Sequence, residues 1–279
     1  MSIFFAGNMV RQRHGIFNPP VASGYTWVSS QGLAWYNNVL AAGASITNAN
    51  QAAFDTAFQS IYNSSLGNIA PAIQSSSFLM GFSDGSGGAG SAYRGCFVPI
   101  IGPSTVNNNF VASDFSRTAG LTGNGTTKYI SSGINNDSTS SKHLFVYYTT
   151  LPSVGTMMIG SGVTAPNNCY ISNSFILMNQ ISASLGSPQP APSCLSVNRF
   201  NTTQYRRYSG SGGGGSPTLV GGVTSQTPNG SNIAVFGGGS SSLSNASLIF
   251  YSIGSSFSTA STELVTLAGI IETLRTSIT

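Results

Sequence analysis

Two stretches in the N-terminal third of the chain carry apolar residues at helical spacing. In residues 29–42, which Gly43 follows as a stop, apolar residues lie at helical spacing: Leu33, Tyr36, Val39 and Leu40. The second stretch begins at Asn48 and places five apolar residues on one face: Phe54, Ala57, Phe58, Ile61 and Tyr62. This pattern predicts two helices in a hairpin.

The helical pattern also sets the outer limits of the predicted fold. Residues 1–28 include Pro19 and Pro20 and have no clear period, so we expect an extended arm before a helical hairpin region over residues 29–82. Residues 258–279 regain a helical period, with five residues on one apolar stripe: Leu264, Leu267, Ile271, Leu274 and Ile278. A C-terminal amphipathic helix is expected, and packing on its own domain or on a sister subunit are equally open.

Residues 83–257 are different, because short β-rich runs alternate with Gly, Asn, Pro and Ser. Nine runs are candidate strands: Cys96–Ile101, Lys142–Thr150, Thr156–Ile159, Ser174–Asn179, Cys194–Phe200, Gln204–Tyr208, Thr218–Val223, Ile233–Phe236 and Ser247–Ile253. Regular short strands with turn signals favour a mainly β fold, an antiparallel β-sandwich or barrel. The run KHLFVYYTT is apolar at both alternating sets of positions, which predicts a central strand covered on both faces.

The composition limits which partners are expected. Only 6% of residues are charged, while 40% are hydrophobic, so the chain should fold although it has few charges. The net charge of +4 is spread without a Lys/Arg run, which argues against nucleic acid as a partner. The nearest approach to a basic cluster is Arg11, Arg13 and His14, interpreted as a solvated arm or, less favoured, as a docking site for an acidic partner.

Cysteine and hydropathy patterns indicate where the protein is made. Three cysteines without metal-ligand spacing allow at most one disulfide, so buried reduced thiols are expected. The opening MSIFFAG has its positive charges after the apolar run, unlike a signal peptide, and no apolar run has membrane-spanning length. We expect synthesis in a reducing cytoplasm and no membrane insertion.

The residues that could do chemistry are few and scattered. Six carboxylates are present, and no two lie close in sequence: Asp55, Asp84, Asp114, Asp137, Glu263 and Glu272. A glycosidase needs a facing pair, which only distant loops could supply here. His143 opens an apolar strand, and neither a nucleophile elbow nor a metal-binding motif occurs. The chain is therefore predicted to have no catalytic residues, no cofactor and no metal.

The sharpest motif is DFSRTAGLTGNGTTKYI, residues 114–130. Asn124 and Gly125 are the pair that accepts positive φ in a tight hairpin turn, so residues 126–130 are expected to form the return strand. Arg117 is interpreted as a strut, with Asp114 as a candidate partner. Seven residues make up the predicted structural signature of this hairpin: Arg117, Gly120, Gly123, Asn124, Gly125, Lys128 and Tyr129.

This motif, preceded by FVPIIG at residues 97–102 and followed near the C-terminus by YSIG at residues 251–254, resembles virion proteins of tailed bacteriophages that contain a concanavalin A/laminin-G-like domain. The resemblance implies a jelly-roll β-sandwich and a structural role in the particle. A tail, baseplate or fibre-tip position is preferred to capsid decoration. It also implies other virion proteins as partners and a homo-oligomer, with a trimer favoured.

A second hypothesis is a carbohydrate-binding receptor module for a host surface glycan. Jelly rolls hold sugars on aromatic side chains, and Tyr205 and Tyr208 are candidate contacts, with Tyr147 and Tyr148 also available. Packing within the fold is the favoured interpretation of these tyrosines. An enzyme ranks third.

Overall fold

The computed structural model describes residues 24–63, 69–138, 140–153, 156–162, 167–179, 190–210, 214–222 and 224–279. These contain three α-helices, α1 (Ser30–Ala41), α2 (Asn48–Tyr62) and α3 (Thr262–Ser277). The strands are β1 (Ala44–Ser45), β2 (Ile73–Phe78), β3 (Ser83–Asp84), β4 (Val106–Asn108), β5 (Phe115–Ser116), β6 (Gly120–Thr122), β7 (Tyr129–Asn135), β8 (Lys142–Thr150), β9 (Met157–Gly160), β10 (Cys169–Ser172), β11 (Ile176–Met178), β12 (Ser193–Arg199), β13 (Tyr205–Gly210), β14 (Thr218–Val220), β15 (Asn232–Val235) and β16 (Ser247–Gly254).

Most strands form two antiparallel sheets, so the predicted mainly β sandwich is confirmed. The larger sheet has the order β14-β13-β12-β8-β16-β6-β5, and β2 pairs with β16 beside β6. The smaller sheet has the order β11-β10-β9-β15-β7-β4. A short β1–β3 pair stands apart from both.

The larger sheet lies between the smaller sheet and the helices. Strand β8 is buried from Lys142 to Tyr148, as the two-sided apolar pattern predicted. On the helical side, the hydroxyl of Tyr147 donates to Glu272 of α3. The rings of Trp35 and Phe54 pack against Phe78 of β2 on that side as well.

The helical hairpin is present and ends earlier than the predicted region. Ser29 caps α1 by accepting the Gly32 N–H at 3.0 Å, and Gly43, at φ +88°, ends the turn after it. Residues 73–78 of the predicted helical region form β2, which pairs with β16. Three consecutive serines and Phe78 are buried there, because β16 pairs with one edge of β2 and Ser76 bridges Ile101 on the other.

Helix α3 resolves the choice left open for its apolar stripe. Its five stripe residues are buried within the chain itself, so they cannot form a seam with a sister subunit. The end of α3 also contacts α2, since the Thr279 N–H donates to the Asn50 side-chain oxygen at 3.3 Å. The C-terminal helix is therefore part of the single core of the molecule.

The predicted strand Cys96–Ile101 is wrong. Residues 92–97 form a 3-10 turn, and Ile101 makes only an isolated bridge to Ser76. Gly95 packs so tightly that a Cβ there would lie 2.4 Å from the Phe82 ring, and Pro99 cannot donate to a strand ladder. Close packing against Phe82 thus replaces sheet pairing.

Candidate functional site

The signature segment does not form the hairpin that the sequence predicts. Strand β6 belongs to the larger sheet and β7 to the smaller one, so residues 123–128 cross between the sheets. The Gly123 N–H donates to Ala246 O at 3.0 Å, and a Cβ on Gly123 would lie 2.0 Å from Ser244 O. This close approach aligns the segment with the chain before β16 and excludes pairing between β6 and β7.

Asn124 and Gly125 stabilise this crossing by different means. Gly125 adopts φ +75°, whereas Asn124 does not adopt a positive φ. The Asn124 side-chain oxygen instead accepts the N–H groups of Thr126, Thr127 and Lys128 at 3.0, 2.9 and 3.1 Å. Asn124 therefore caps the loop through its side chain, a role that asparagine often has in turns.

The charged residues of the signature also differ from the prediction. Lys128, and not Arg117, forms the ion pair with Asp114. Arg117 donates to the Ser83 hydroxyl at 3.1 Å, and its carbonyl accepts the Gly81 N–H at 2.8 Å. These contacts connect the segment to the chain after β2.

The remaining signature residues also have structural roles. Gly120 adopts φ +87° where a Cβ would lie 2.1 Å from Leu248 O. Tyr129 begins β7 and pairs with Asn108 of β4. The signature residues therefore build the connection between the two sheets.

The tyrosines nominated for glycan contact are buried, so that hypothesis is wrong for these residues. Tyr205 is 0% exposed and Tyr208 is 3% exposed. The guanidinium of the buried Arg199 lies 5.4 Å from the centre of the Tyr205 ring. The Tyr208 hydroxyl donates to Gly214 O at 2.7 Å. Tyr147 and Tyr148 are buried as well, and burial is the largest cause that raises the pKa of each.

The predicted docking residues Arg11, Arg13 and His14 lie outside the described residues. The described chain begins at Gly24, where an added Cβ would lie 3.2 Å from the side-chain amide nitrogen of Asn48. The next residues are tied to α2, because Asp55 accepts the Ser29 N–H and the Val28 N–H at 2.8 Å each. The arm therefore joins the described chain at the N-terminal end of α2.

Each of the six carboxylates of the chain has partners within its own fold. Asp55 and Asp84 accept backbone N–H groups, and Glu263 accepts the N–H and the hydroxyl of Ser258. The other three form ion pairs: Asp114 with Lys128, Asp137 with Lys142 and Glu272 with Arg275. Hydrogen bonds from these partners lower the pKa of Asp84, Asp137 and Glu272.

The histidine and the cysteines of the sandwich are buried. One ring nitrogen of His143 bonds Ser255 O at 2.7 Å and the other bonds the Ser252 hydroxyl at 2.8 Å. Burial lowers the pKa of His143 to about 4. The three thiols are free and buried, and burial raises the pKa of each: Cys96, Cys169 and Cys194. None of these groups is poised as a nucleophile.

Across the part of the chain that the structure describes, no three His, Cys, Asp or Glu residues gather in a way that could hold a metal ion. No described helix combines the length and the hydropathy that a bilayer span requires.

The exterior carries little charge. Among the described residues, the only charged side chains in the exposed class are Asp84, Arg94 and Asp137. The other charged groups are half-buried or buried in struts such as the Lys142 contact to Asn135 O at 2.6 Å. This distribution leaves most of the described surface to hydroxyls, amides and small apolar groups.

Helices α1 and α2 present an uncharged surface. Every exposed residue of α1 and α2 is Ser, Thr, Asn, Gln, Ala or Leu, and we call this set the helical face. The one charged residue of these two helices, Asp55, points inward and is 0% exposed. Beside the helical face, Val28 is 73% exposed and Leu33 within it is 42% exposed. Solvated helix faces ordinarily carry charges, and an uncharged face costs less to bury.

A groove runs between α2 and α3 next to the helical face, and we call it the α2–α3 groove. Its volume is about 340 Å³. It is lined by small or apolar residues of both helices: Ala53, Thr56, Ala57, Ser60, Gly269, Ile270, Thr273, Leu274 and Ser277. The sequence predicts both helices from their apolar positions. The absence of charge at the exposed positions of α1 and α2 is also visible in the sequence.

The comparisons with known proteins found no matching family model and no matching curated protein. Similar solved structures include a GH54 α-L-arabinofuranosidase soaked with a cyclic sulfate inhibitor, at 11% identity and TM-score 0.42, covering 55% of this chain and 41% of that one. Trypanosoma rangeli sialidase in complex with sialic acid has 14% identity and TM-score 0.41, covering 71% and 33%. Domain 4 of AbnA, a GH43 extracellular arabinanase from Geobacillus stearothermophilus in complex with arabinotriose, has 12% identity and TM-score 0.34, covering 60% and 82%.

This chain thus spans less than half the length of the arabinofuranosidase and the sialidase. At such TM-scores the likeness carries no argument about activity, and the architecture stands on the strand pairing described above.

Proposed function

We propose that this chain is a structural protein of a tailed-bacteriophage particle that works by contact and not by catalysis. A tail, baseplate or fibre-tip position is preferred, with capsid decoration as the alternative. The observation that carries the proposal is the distribution of charge. The described exterior exposes few charged side chains, and the helical face exposes none. A surface of this kind loses little solvation free energy when another protein covers it.

The hydrogen bonds and ion pairs that the six carboxylates form within the chain support a non-enzymatic role. Glycoside hydrolysis by the common route uses two carboxyl groups that face the scissile bond. In this chain all six carboxylates bind their own backbone, hydroxyls or cations, as in the Glu272–Arg275 pair at 2.7 Å. Freeing two of them for a substrate would remove contacts that position helices and loops.

The partners we propose are other virion proteins and further copies of this chain, with a trimer favoured. Because the apolar stripe of α3 is buried in its own chain, we place the subunit contacts on the helical face. A host-surface glycan stays a further candidate partner, and it would have to use residues other than Tyr205 and Tyr208. The proposed location is the virion, assembled in the bacterial cytoplasm.

Purified particles test this proposal. Particles produced from the genome that encodes the chain would be banded by density and analysed by quantitative mass spectrometry. We expect the chain at a constant ratio to the major capsid protein through repeated banding. Separated tails and heads would then distinguish the two positions. Loss of the chain to the soluble fraction during the first banding would contradict the proposal.

A further inference from the structure

Two apolar side chains project into solvent at the start of α1. Val28 is 73% exposed and Leu33 is 42% exposed. Because Ser29 is the N-cap of α1, these residues occupy the two positions that pair across a helix start in a hydrophobic staple. In the described part of the helical layer formed by α1, α2 and α3, they are the only large hydrophobic side chains in the exposed class. We call Val28 and Leu33 the apolar knob.

The α2–α3 groove is a recess of matching character. No charged residue lines it. Three of its hydroxyls donate to the backbone of their own helices: Thr56 to Ala52 O at 2.9 Å, Thr273 to Gly269 O at 2.8 Å, and Ser277 to Thr273 O at 2.7 Å. The groove therefore favours an apolar side chain as its occupant.

The apolar knob and the groove lie on opposite sides of α2 in one chain. The Val28 N–H donates to Asp55 of α2 at 2.8 Å. Asp55 is two residues from the groove residues Ala53 and Ala57, which is about 200° around the helix. A copy of the chain therefore cannot place its own knob in its own groove, and a second copy can.

The charges and the dimensions of the helical layer suit a contact between copies. Neither the knob nor the groove carries a charge, so joining them desolvates none. The three helices have 12, 15 and 16 residues and are about 18–24 Å long, with axes about 8–10 Å apart. Side by side they present roughly 600 Å² in projection, close to the area of about 800 Å² per partner that a stable interface buries.

We propose that the apolar knob of one copy of this chain occupies the α2–α3 groove of a second copy. Each copy then contributes one knob and one groove. A head-to-tail series of such contacts closes into a ring, which is the symmetry of the trimer favoured above. This inference rests on the proposed placement of subunit contacts on the helices, and it concerns self-association of the free protein.

Cross-linking between two variants of the full-length protein tests the proposal. Ser30→Cys places a thiol beside the knob, and Ser60→Cys places one in the groove. The native cysteines are buried, and burial raises the pKa of Cys169 to about 11, so they react slowly with a maleimide. The two variants, one with a heavy-isotope label, are mixed, treated with a short bismaleimide and analysed by mass spectrometry.

We expect a mixed product that joins the knob reporter of one copy to the groove reporter of another. Thr203→Cys, on an exposed turn of the sandwich, is the matched control and should give no product with Ser60→Cys. Absence of the mixed product at the highest soluble concentration would overturn the proposal. A groove-to-groove product from Ser60→Cys alone, without the mixed product, would overturn it as well.

Sedimentation velocity measures how much the knob contributes. Leu33→Ser should weaken self-association by at least about tenfold. Leu33→Met keeps the volume of the side chain and should retain most of the affinity. Leu219→Ser is the matched control, because Leu219 is 46% exposed on β14 of the sandwich, and it should change nothing.

Equal weakening by Leu33→Ser and Leu219→Ser would overturn the proposal. A wild-type chain that is monomeric at every concentration would overturn it too, while the virion role would still be decided separately by the banded particles. Circular dichroism melts would establish that all variants fold.

Discussion

The sandwich and the helical layer deal with polar groups in different ways. Inside the sandwich, polar side chains join distant segments: the amide of Asn136 donates to Asn167 O, to the Asn179 side chain and to that of Asn229 at 3.0, 2.7 and 3.2 Å. On the helical face, side chains such as Thr56 instead donate to the backbone of their own helix. Buried polar groups thus join distant segments of the sandwich, whereas the helical face exposes uncharged side chains, which we propose for contact with another protein.

Asp55 holds the chain before α1 to α2 within the helical layer, and its substitution should give the largest effect. Asp55→Ala removes the acceptor of the Val28 and Ser29 N–H groups and of the Tyr25 hydroxyl. Leaving buried donors unpaired should cost about 3 kcal/mol in the free energy of unfolding, measured by urea denaturation. Asp55→Asn keeps one acceptor oxygen and should lose less. Equal stability of all three proteins would show that the arm junction is not held by this carboxylate.

Protonation of His143 tests how much the buried hydrogen bonds of the sandwich contribute to its stability. Burial lowers its pKa to about 4, whereas the unfolded chain titrates near 6.5. The stability that neutral His143 confers is therefore complete above pH 6.5 and falls as the pH drops toward 4, by about 2–3 kcal/mol.

Denaturation curves between pH 7 and 4.5 would measure this effect. The pKa values of Asp84, Asp137 and Glu272 are lowered, so the carboxylates lose their contributions mainly at more acidic pH. His143→Gln should be less stable at pH 7 and flat across this range. An equally steep fall in that variant would assign the effect to another group.

The crossing loop tests whether close backbone packing, and not turn chemistry, fixes the signature. Gly123→Ala would drive a Cβ into Ser244 O at 2.0 Å and should cost about 2 kcal/mol. Gly125→Ala is the matched control, since its φ of +75° is strained but its nearest neighbour lies 3.8 Å away, and about 1 kcal/mol is expected. The reverse order of these two losses, measured by thermal unfolding, would favour the hairpin interpretation.

The helical face should tolerate change in the free protein. Ala52→Lys and Gln59→Lys add charge at exposed positions and should alter the free energy of unfolding by less than about 0.5 kcal/mol. In the particle, the same charges would be buried, so incorporation of these variants should fall. Thr203→Lys, on an exposed turn of the sandwich, is the matched control and should incorporate normally.

The sequence predicts an element correctly where the element's own pattern of apolar residues determines which side is buried. The two-sided apolar run of β8 and the periodicity of α1, α2 and α3 predict their elements correctly, because burial follows directly from the pattern. Strand β2 was missed, since its serines have no apolar alternation and are buried only because β16 lies beside them.

The candidate site was also predicted poorly where the deciding contacts are not local in sequence. The aromatic residues Tyr205 and Tyr208 suggested a sugar platform, yet Arg199, seated between the sheets, covers the ring of Tyr205. That contact joins distant residues and leaves no periodic trace. The uncharged helical face could have been found from the sequence, by reading the exposed positions of α1 and α2 once their buried faces were assigned.

The most direct test of the account is the accessibility of the two regions in free protein and in purified particles. Gln59→Cys reports on the helical face and Thr203→Cys on the sandwich, and both are exposed positions. We predict that both label rapidly with a maleimide in the free protein and that only Gln59→Cys becomes protected in the particle. Protection of Thr203→Cys with continued labelling of Gln59→Cys would contradict the assignment of the docking surface to the helices.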